Sequence, residues 1–231
     1  MNYLENPIFL LAITFGLYFL SKLVQRKTGW VLLNPILLTI AALILFLKAC
    51  NISYETYNNG GQFIGFWLKP TIVALGVPLY LQLEKIKKQL LPILLSQLAG
   101  CVIGVISVVL TAQLLGASKE VILSLAAKSV TTPIAMEVTK TVGGIPALTA
   151  AVVVCVGLFG AISGFKILAL LKIESPIAQG LSMGTAAHAV GTSTAMDVSG
   201  KYGAYASLGL TLNGIFTALL TPTILRLMGL L

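Results

Sequence analysis

Charged side chains are scarce: Asp, Glu, Lys and Arg make up 10% of the 231 residues, where a soluble domain carries about 25%. With 57% hydrophobic residues and a mean hydropathy of +0.98, too little charge is left to coat a water-facing surface, which excludes a soluble globule. Acidic residues are the scarcer sign, 7 against 15 Lys and Arg, giving a net charge of +8. That excess would raise the question of nucleic acid in a soluble protein. Here the basic residues sit in short loops between apolar runs and none is interleaved with aromatics, so the excess reads as positive-inside topology and no nucleic-acid partner is expected. Cysteine is also low. Cys50, Cys101 and Cys155 are odd in number, far apart and without metal-ligand spacing, and they read as packing residues. A single histidine, His188, cannot build a typical zinc cluster. A nucleophile elbow, a Walker loop, an HExxH helix and a paired-cysteine site are missing too. No enzyme, catalytic residue, metal or cofactor is expected.

What the chain has in plenty is apolar runs, at about 7–24, 30–48, 61–82, 89–115, 120–142, 145–171, 176–200 and 203–229. A helix needs about 20 apolar residues to cross about 30 Å of hydrocarbon, so the chain holds roughly eight membrane-embedded segments and no large extramembrane catalytic domain. The expected fold class is an all-α polytopic membrane protein, with about six spanning helices and two broken or re-entrant segments that form an inverted repeat. The first run, Pro7 to Val24, resembles a signal peptide in hydropathy. Glu5 precedes it, however, and Lys22, Arg26 and Lys27 follow it, the reverse of a signal peptide's charge order. It reads as a retained span with its N-terminus outside.

The segments 120–142 and 176–200 carry polar, helix-breaking clusters at mid-length: Lys128-Ser129-Val130-Thr131-Thr132-Pro133 and His188-Ala189-Val190-Gly191-Thr192-Ser193-Thr194. Polar non-helical backbone at membrane depth is tolerated only where it is buried in protein or lines a wet cavity. Laid over each other at an offset of 60, residues 126–138 and 186–198 are identical at seven of 13 positions, with Lys128 over His188 and Glu137 over Asp197. The repeat unit is one broken segment plus one long apolar helix, about 120–171 and 176–229. If the broken segments span, the repeats are parallel; if they re-enter as hairpins, the repeats are inverted and their tips meet near the midplane. The hairpin topology puts Lys22, Arg26, Lys27, Lys85, Lys87, Lys88, Lys166, Lys172 and Lys201 inside. The spanning topology moves Lys166 and Lys172 out and Lys140 in, and fits the positive-inside rule slightly less well.

At each break a helix restarts at membrane depth. Thr132 before Pro133 has the form of an N-cap with proline at the first helical position, and Thr194 stands at capping-box distance from Asp197. Two restarted helices would aim free N–H groups and positive dipole ends at one region, an anion site in outline. The candidate site residues are Lys128, Ser129, Thr131, Thr132, Pro133, His188, Gly191, Thr192, Ser193 and Thr194, with Asn34, Asn213, Glu137 and Asp197 as further candidates. Each has a plainer reading. Lys128 could snorkel or pair with an acid, although an ionisable residue deep in a membrane is costly and functional by default. His188 could be a hydrogen-bonded packing residue instead of a substrate contact or proton carrier. Glu137 and Asp197 could be solvated helix-end charges, and the hydroxyls could cap helices. Asn34-Pro35 and Lys69-Pro70 could mark kinked scaffold helices, and Asn213 an interhelical hydrogen bond. The small residues Gly100, Gly104, Gly157, Gly160 and Gly164 permit close helix contact.

Leu33-Asn34-Pro35, the run from Pro70 to Tyr80, Lys128 to Met136 and Gly180 to His188 together resemble the bacterial LrgB/CidB family over nearly the whole chain. Lys69 departs from the small or uncharged residue expected before that proline. The resemblance implies two functions. Bacterial members are holin- or antiholin-like proteins that modulate murein hydrolase export and autolysis with a small LrgA/CidA membrane partner. A plant plastid relative looks like a glycolate/glycerate translocator, and bacterial members are linked to pyruvate-type acids. The expectation from residues and resemblance together is a secondary transporter of small hydroxy- or keto-monocarboxylates, working by alternating access of an elevator kind. Residues 118–231 would be its transport part and 1–117 a scaffold, in a homodimer of the bacterial cytoplasmic membrane. Proton coupling through His188 is compatible with it. The alternative is a holin/antiholin-like regulator, which needs no saturable polar site at the midplane, whereas this chain builds one twice.

Overall fold

In a computed structural model the described residues are 6–28, 33, 35–74, 76–81 and 83–231. They are helical and turn structure, with no strand among them. The chain is a multi-pass all-α membrane protein: α1 (Pro7–Thr28), α6 (Leu90–Leu114), α9 (Pro146–Leu170) and α11 (Gly200–Leu227) are each long and apolar enough to cross a bilayer. It divides into two compact units, Met1–Leu75 and Gly76–Leu231.

In the first unit α1 packs against α2 (Pro35–Ala49) and α3 (Tyr54–Ala74). Lipid tails are as apolar as leucine, so helices associate in a membrane through close approach and interhelical hydrogen bonds. Both occur here. A Cβ at Gly60 would stand 2.8 Å from the Pro7 carbonyl oxygen, and hydroxyl pairs join Thr14 to Tyr57 (3.0 Å) and Thr39 to Ser21 (3.3 Å). The apolar run at 61–82 predicts a third span there, but α3 begins at Tyr54. Ser53 Oγ accepts from the Thr56 amide at 3.2 Å, and this cap starts the helix in polar sequence ahead of the apolar stretch. Pro70 lies inside α3.

The second unit opens with α4 (Gly76–Leu81) and α5 (Leu83–Lys87), continues through α6, and then turns into the first broken segment. α7 (Lys119–Leu125) and α8 (Thr132–Val142) fold back on each other. The Ile145 amide donates to Ser124 Oγ at 2.7 Å, and Thr149 Oγ1 donates to the Ser124 carbonyl at 2.9 Å. The residues after α8 have therefore returned beside α7, and the segment is a hairpin. After α9 the second segment, α10 (Pro176–Val198), does the same without a visible gap. A Cβ at Gly191 would collide with the carbonyl oxygen of Met183. These residues would lie about 12 Å apart along a straight helix, so the arms 176–187 and 189–198 double back at His188, whose φ is 43° and ψ −133°. Both arms lie on the start of α11: Gly180 and Gly184 contact Tyr202, Tyr205 and Ala206, while Gly203 contacts Met196.

The hairpins enter from opposite ends of the unit. One apolar cluster joins Val105 and Val109 of α6 to Ile122 and Val142 of the first hairpin and Leu225 near the end of α11. Another joins Ile93 near the start of α6 to Leu181 of the second hairpin and Tyr205 near the start of α11. α9, 25 residues long, runs between the two entrances. The repeat is inverted.

Candidate functional site

The two tips meet at mid-length of α11. Asn213, 2% exposed, donates through Nδ2 to the carbonyl oxygens of Ser129 in the first hairpin and Thr185 in the second, each at 3.0 Å. A matching tie runs the other way: His188 Nε2 at the second corner lies 2.8 Å from the Val153 carbonyl oxygen on α9. Val153 and Asn213 are themselves 60 residues apart. Each hairpin is thus fastened to the long helix of the other repeat, at equivalent positions.

Two hollows flank the tips. The larger, about 740 Å³, is lined by Gln89 and α6 as far as Val105, by Ser175 and the first arm of α10, and at its deep end by Lys128, Ser129, Asn213 and Thr217. The smaller, about 540 Å³, lies along α9 from Cys155 to Leu168 and against Ser182, Met183, Ala186 and Ala187, and it too ends at Lys128 and Ser129. Both volumes fall in the range of ligand pockets. Lys128 is partly buried, and its Nζ donates to Ser129 Oγ at 2.9 Å. Among the described residues no carboxylate lies within 4.0 Å of it; the ion pairs found are the surface pairs Lys87–Glu84 and Lys140–Glu137.

Of the residues singled out from sequence, Lys128, Ser129 and Asn213 come together at the hollows. His188 lines neither hollow: its ring turns to the Val153 carbonyl and packs on Gly157. Thr131 is the N-cap of α8, one residue ahead of the expected Thr132, which puts Thr132 and Pro133 in the first turn. Thr194 is no cap either. The helix restarts at His188, and Thr194 Oγ1 donates to the Val190 carbonyl (3.0 Å) within the second arm. Thr192 Oγ1 donates to the His188 carbonyl at 2.8 Å, while Gly191 packs on Met183 and Ala187. Ser193, Glu137 and Asp197 are exposed, Glu137 bonding Lys140 at 2.9 Å. Asn34 lies outside the described residues. Sequence reasoning missed Gln97 and Thr185, whose side chains bond each other and tie α6 to the second hairpin. Two polar residues inside apolar helical stretches were the available signal. Among the described residues no group of three His, Cys, Asp or Glu could hold a metal ion.

The corner at His188 carries a testable cost. Its φ lies in the left-handed region, where a β-branched side chain is most strained. His188→Gly loses the Val153 bond but relaxes the backbone, whereas His188→Val loses the bond and keeps the strain. The valine variant is expected to be less stable than the glycine variant by about 1–3 kcal/mol, read by denaturant titration in mixed micelles. Equal stabilities would show that the corner is not strained.

Comparison with known proteins fixes the lineage. The LrgB-like family profile matches residues 14–227. The chain belongs to the LrgB-like family. It is 36% identical over 227 residues, 98% of this chain and 99% of the relative, to holin-like protein CidB of Staphylococcus epidermidis. It is 35% identical over the same shares to the CidB protein of Staphylococcus aureus, and 32% identical over 97% and 98% to antiholin-like protein LrgB of Bacillus cereus. No solved structure matches it. These names correct the expectation of a small-monocarboxylate transporter: full-length relatives of this LrgB-like chain are named holin-like and antiholin-like. The physical reason for the misreading is local. The hydroxyls of Thr192 and Thr194 and the ring of His188, counted as groups awaiting a substrate, bond to backbone carbonyls. A broken helix in a membrane needs such partners whether or not it binds anything.

Proposed function

We propose that the protein is a holin/antiholin-like regulator of the bacterial cytoplasmic membrane that acts with a separate small LrgA/CidA-like membrane protein to control murein hydrolase export and autolysis. The observation that carries this reading is end-to-end similarity to relatives named holin-like and antiholin-like. The larger hollow supports it. It runs from Gln89 and Ser175 at one end of the unit to Lys128 at mid-depth, and the joined tips with Asn213 close it there. A regulator of this kind needs a path that is held shut, and parting the tips would lengthen this one. Lys128, Ser129 and Asn213 are its working residues.

The test is genetic. Deleting the gene is expected to change both the autolysis rate and the zymogram of exported murein hydrolases, with restoration by the wild-type gene. Lys128→Gln, accumulating to the same level, is expected to restore neither. Unchanged autolysis and an unchanged zymogram on both deletion and overexpression would remove the proposal.

A further inference from the structure

The smaller hollow has a composition that the regulatory reading does not use. Its walls are apolar: Val156, Phe159, Ile167 and Leu168 on α9 face Met183 and Ala187 on the second hairpin. Its rim lies on the lipid-facing surface, where Phe159 is 65% and Ile167 42% exposed. Its inner end is a cation, Lys128, hydrogen-bonded to Ser129 but facing no carboxylate among the described residues. An ionised group in a low-dielectric site is costly unless paired, so the inner end calls for an anion. The walls call for hydrocarbon. A short hydrophilic anion would satisfy Lys128 and leave the apolar walls to water, and an uncharged lipid would do the reverse.

We infer that this lateral hollow is a binding site for a single-chain amphiphilic anion taken from the bilayer, its acidic head on Lys128 and Ser129 and its chain between α9 and the second hairpin. This goes beyond the proposed regulatory role and stands on the cavity alone, so either can fail without the other. No transport of the ligand is implied.

Cys155 lines this hollow and is exposed, which makes it a native reporter. In nanodiscs the N-ethylmaleimide labelling rate of Cys155, resolved by peptide mass spectrometry, is measured with palmitate, hexadecanol or butyrate present. Cys50, in the turn just after α2 and outside the lining, is the internal control. Palmitate is expected to slow Cys155 at concentrations at least about tenfold below those at which hexadecanol or butyrate does so, the discrimination a charged hydrogen bond provides. Cys50 should not respond. Lys128→Gln is expected to bring palmitate level with hexadecanol. Equal protection by palmitate and hexadecanol in the wild type, equal protection by butyrate, or no protection would each overturn the inference, and these need no variant to fold. Ser163→Phe, which fills the hollow from α9, is expected to abolish palmitate protection; protection that survives it would place the ligand elsewhere and also overturn the inference.

Discussion

Asn213→Ala is expected to lower the unfolding stability of the protein by about 1–3 kcal/mol, the combined effect of two lost interhelical bonds and two stranded carbonyls. One side chain bonds the Ser129 and Thr185 carbonyl oxygens, both at helix breaks near mid-depth, where water is a poor substitute. Individual interhelical hydrogen bonds in membranes average only about 0.6 kcal/mol, so a loss near the top of the range requires that the carbonyls stay unpaired. Asn213→Asp separates the two contributions. It keeps the size of the side chain but removes the donor pair and sets carboxyl oxygens against carbonyl oxygens. It is expected to be less stable than Asn213→Ala, although it is the closer match in shape. SDS titration of the purified protein measures all three. If the alanine variant falls within about 0.5 kcal/mol of wild type, as surface changes do, Asn213 does not hold the tips together.

The two breaks and their 60-residue offset were legible in the sequence because polar residues at membrane depth stand out against apolar neighbours. That each segment re-enters was much less legible. Segment hydropathy is the same for a hairpin as for a crossing, and loop charge separated the two only slightly. The fold-back at the first break rests on Ser124, whose side chain looked like any other serine in an apolar helix. The second corner falls on a histidine, where neither Pro nor Gly announces it. Its signature is in Gly184 and Gly191, small enough for the arms and α11 to close. Lys128 and Ser129 were found because ionisable and polar groups are rare there. The orientation of His188 was not, since its register with Lys128 says which position it occupies and nothing about which carbonyl its ring can reach. Function was misjudged at the same step: groups bonded to the protein's own backbone were counted as groups awaiting a ligand.

The glycine contacts of the second hairpin give the other large effect. A Cβ at Gly184 would overlap the Ala206 carbonyl oxygen, and one at Gly160 would overlap the Ala187 Cβ. The first obstacle is backbone, which can yield only by moving α11. Gly184→Ala is therefore expected to cost more than about 3 kcal/mol, above the usual range for overpacking, and to leave little folded protein. Gly104→Ala is the control. Nothing lies within 4 Å of the Cβ it adds to α6, and alanine favours a helix over glycine by about 0.5–1 kcal/mol. That variant should be at least as stable as wild type. At Gly160 the obstacle is a methyl group that can be deleted. Gly160→Ala is expected to destabilise by about 1–3 kcal/mol, and adding Ala187→Gly should recover most of that loss by passing the methyl group from one face of the contact to the other. A double-mutant cycle on SDS unfolding then gives a coupling energy of about 1–3 kcal/mol. Additive losses would mean that α9 and the second hairpin do not meet at this pair.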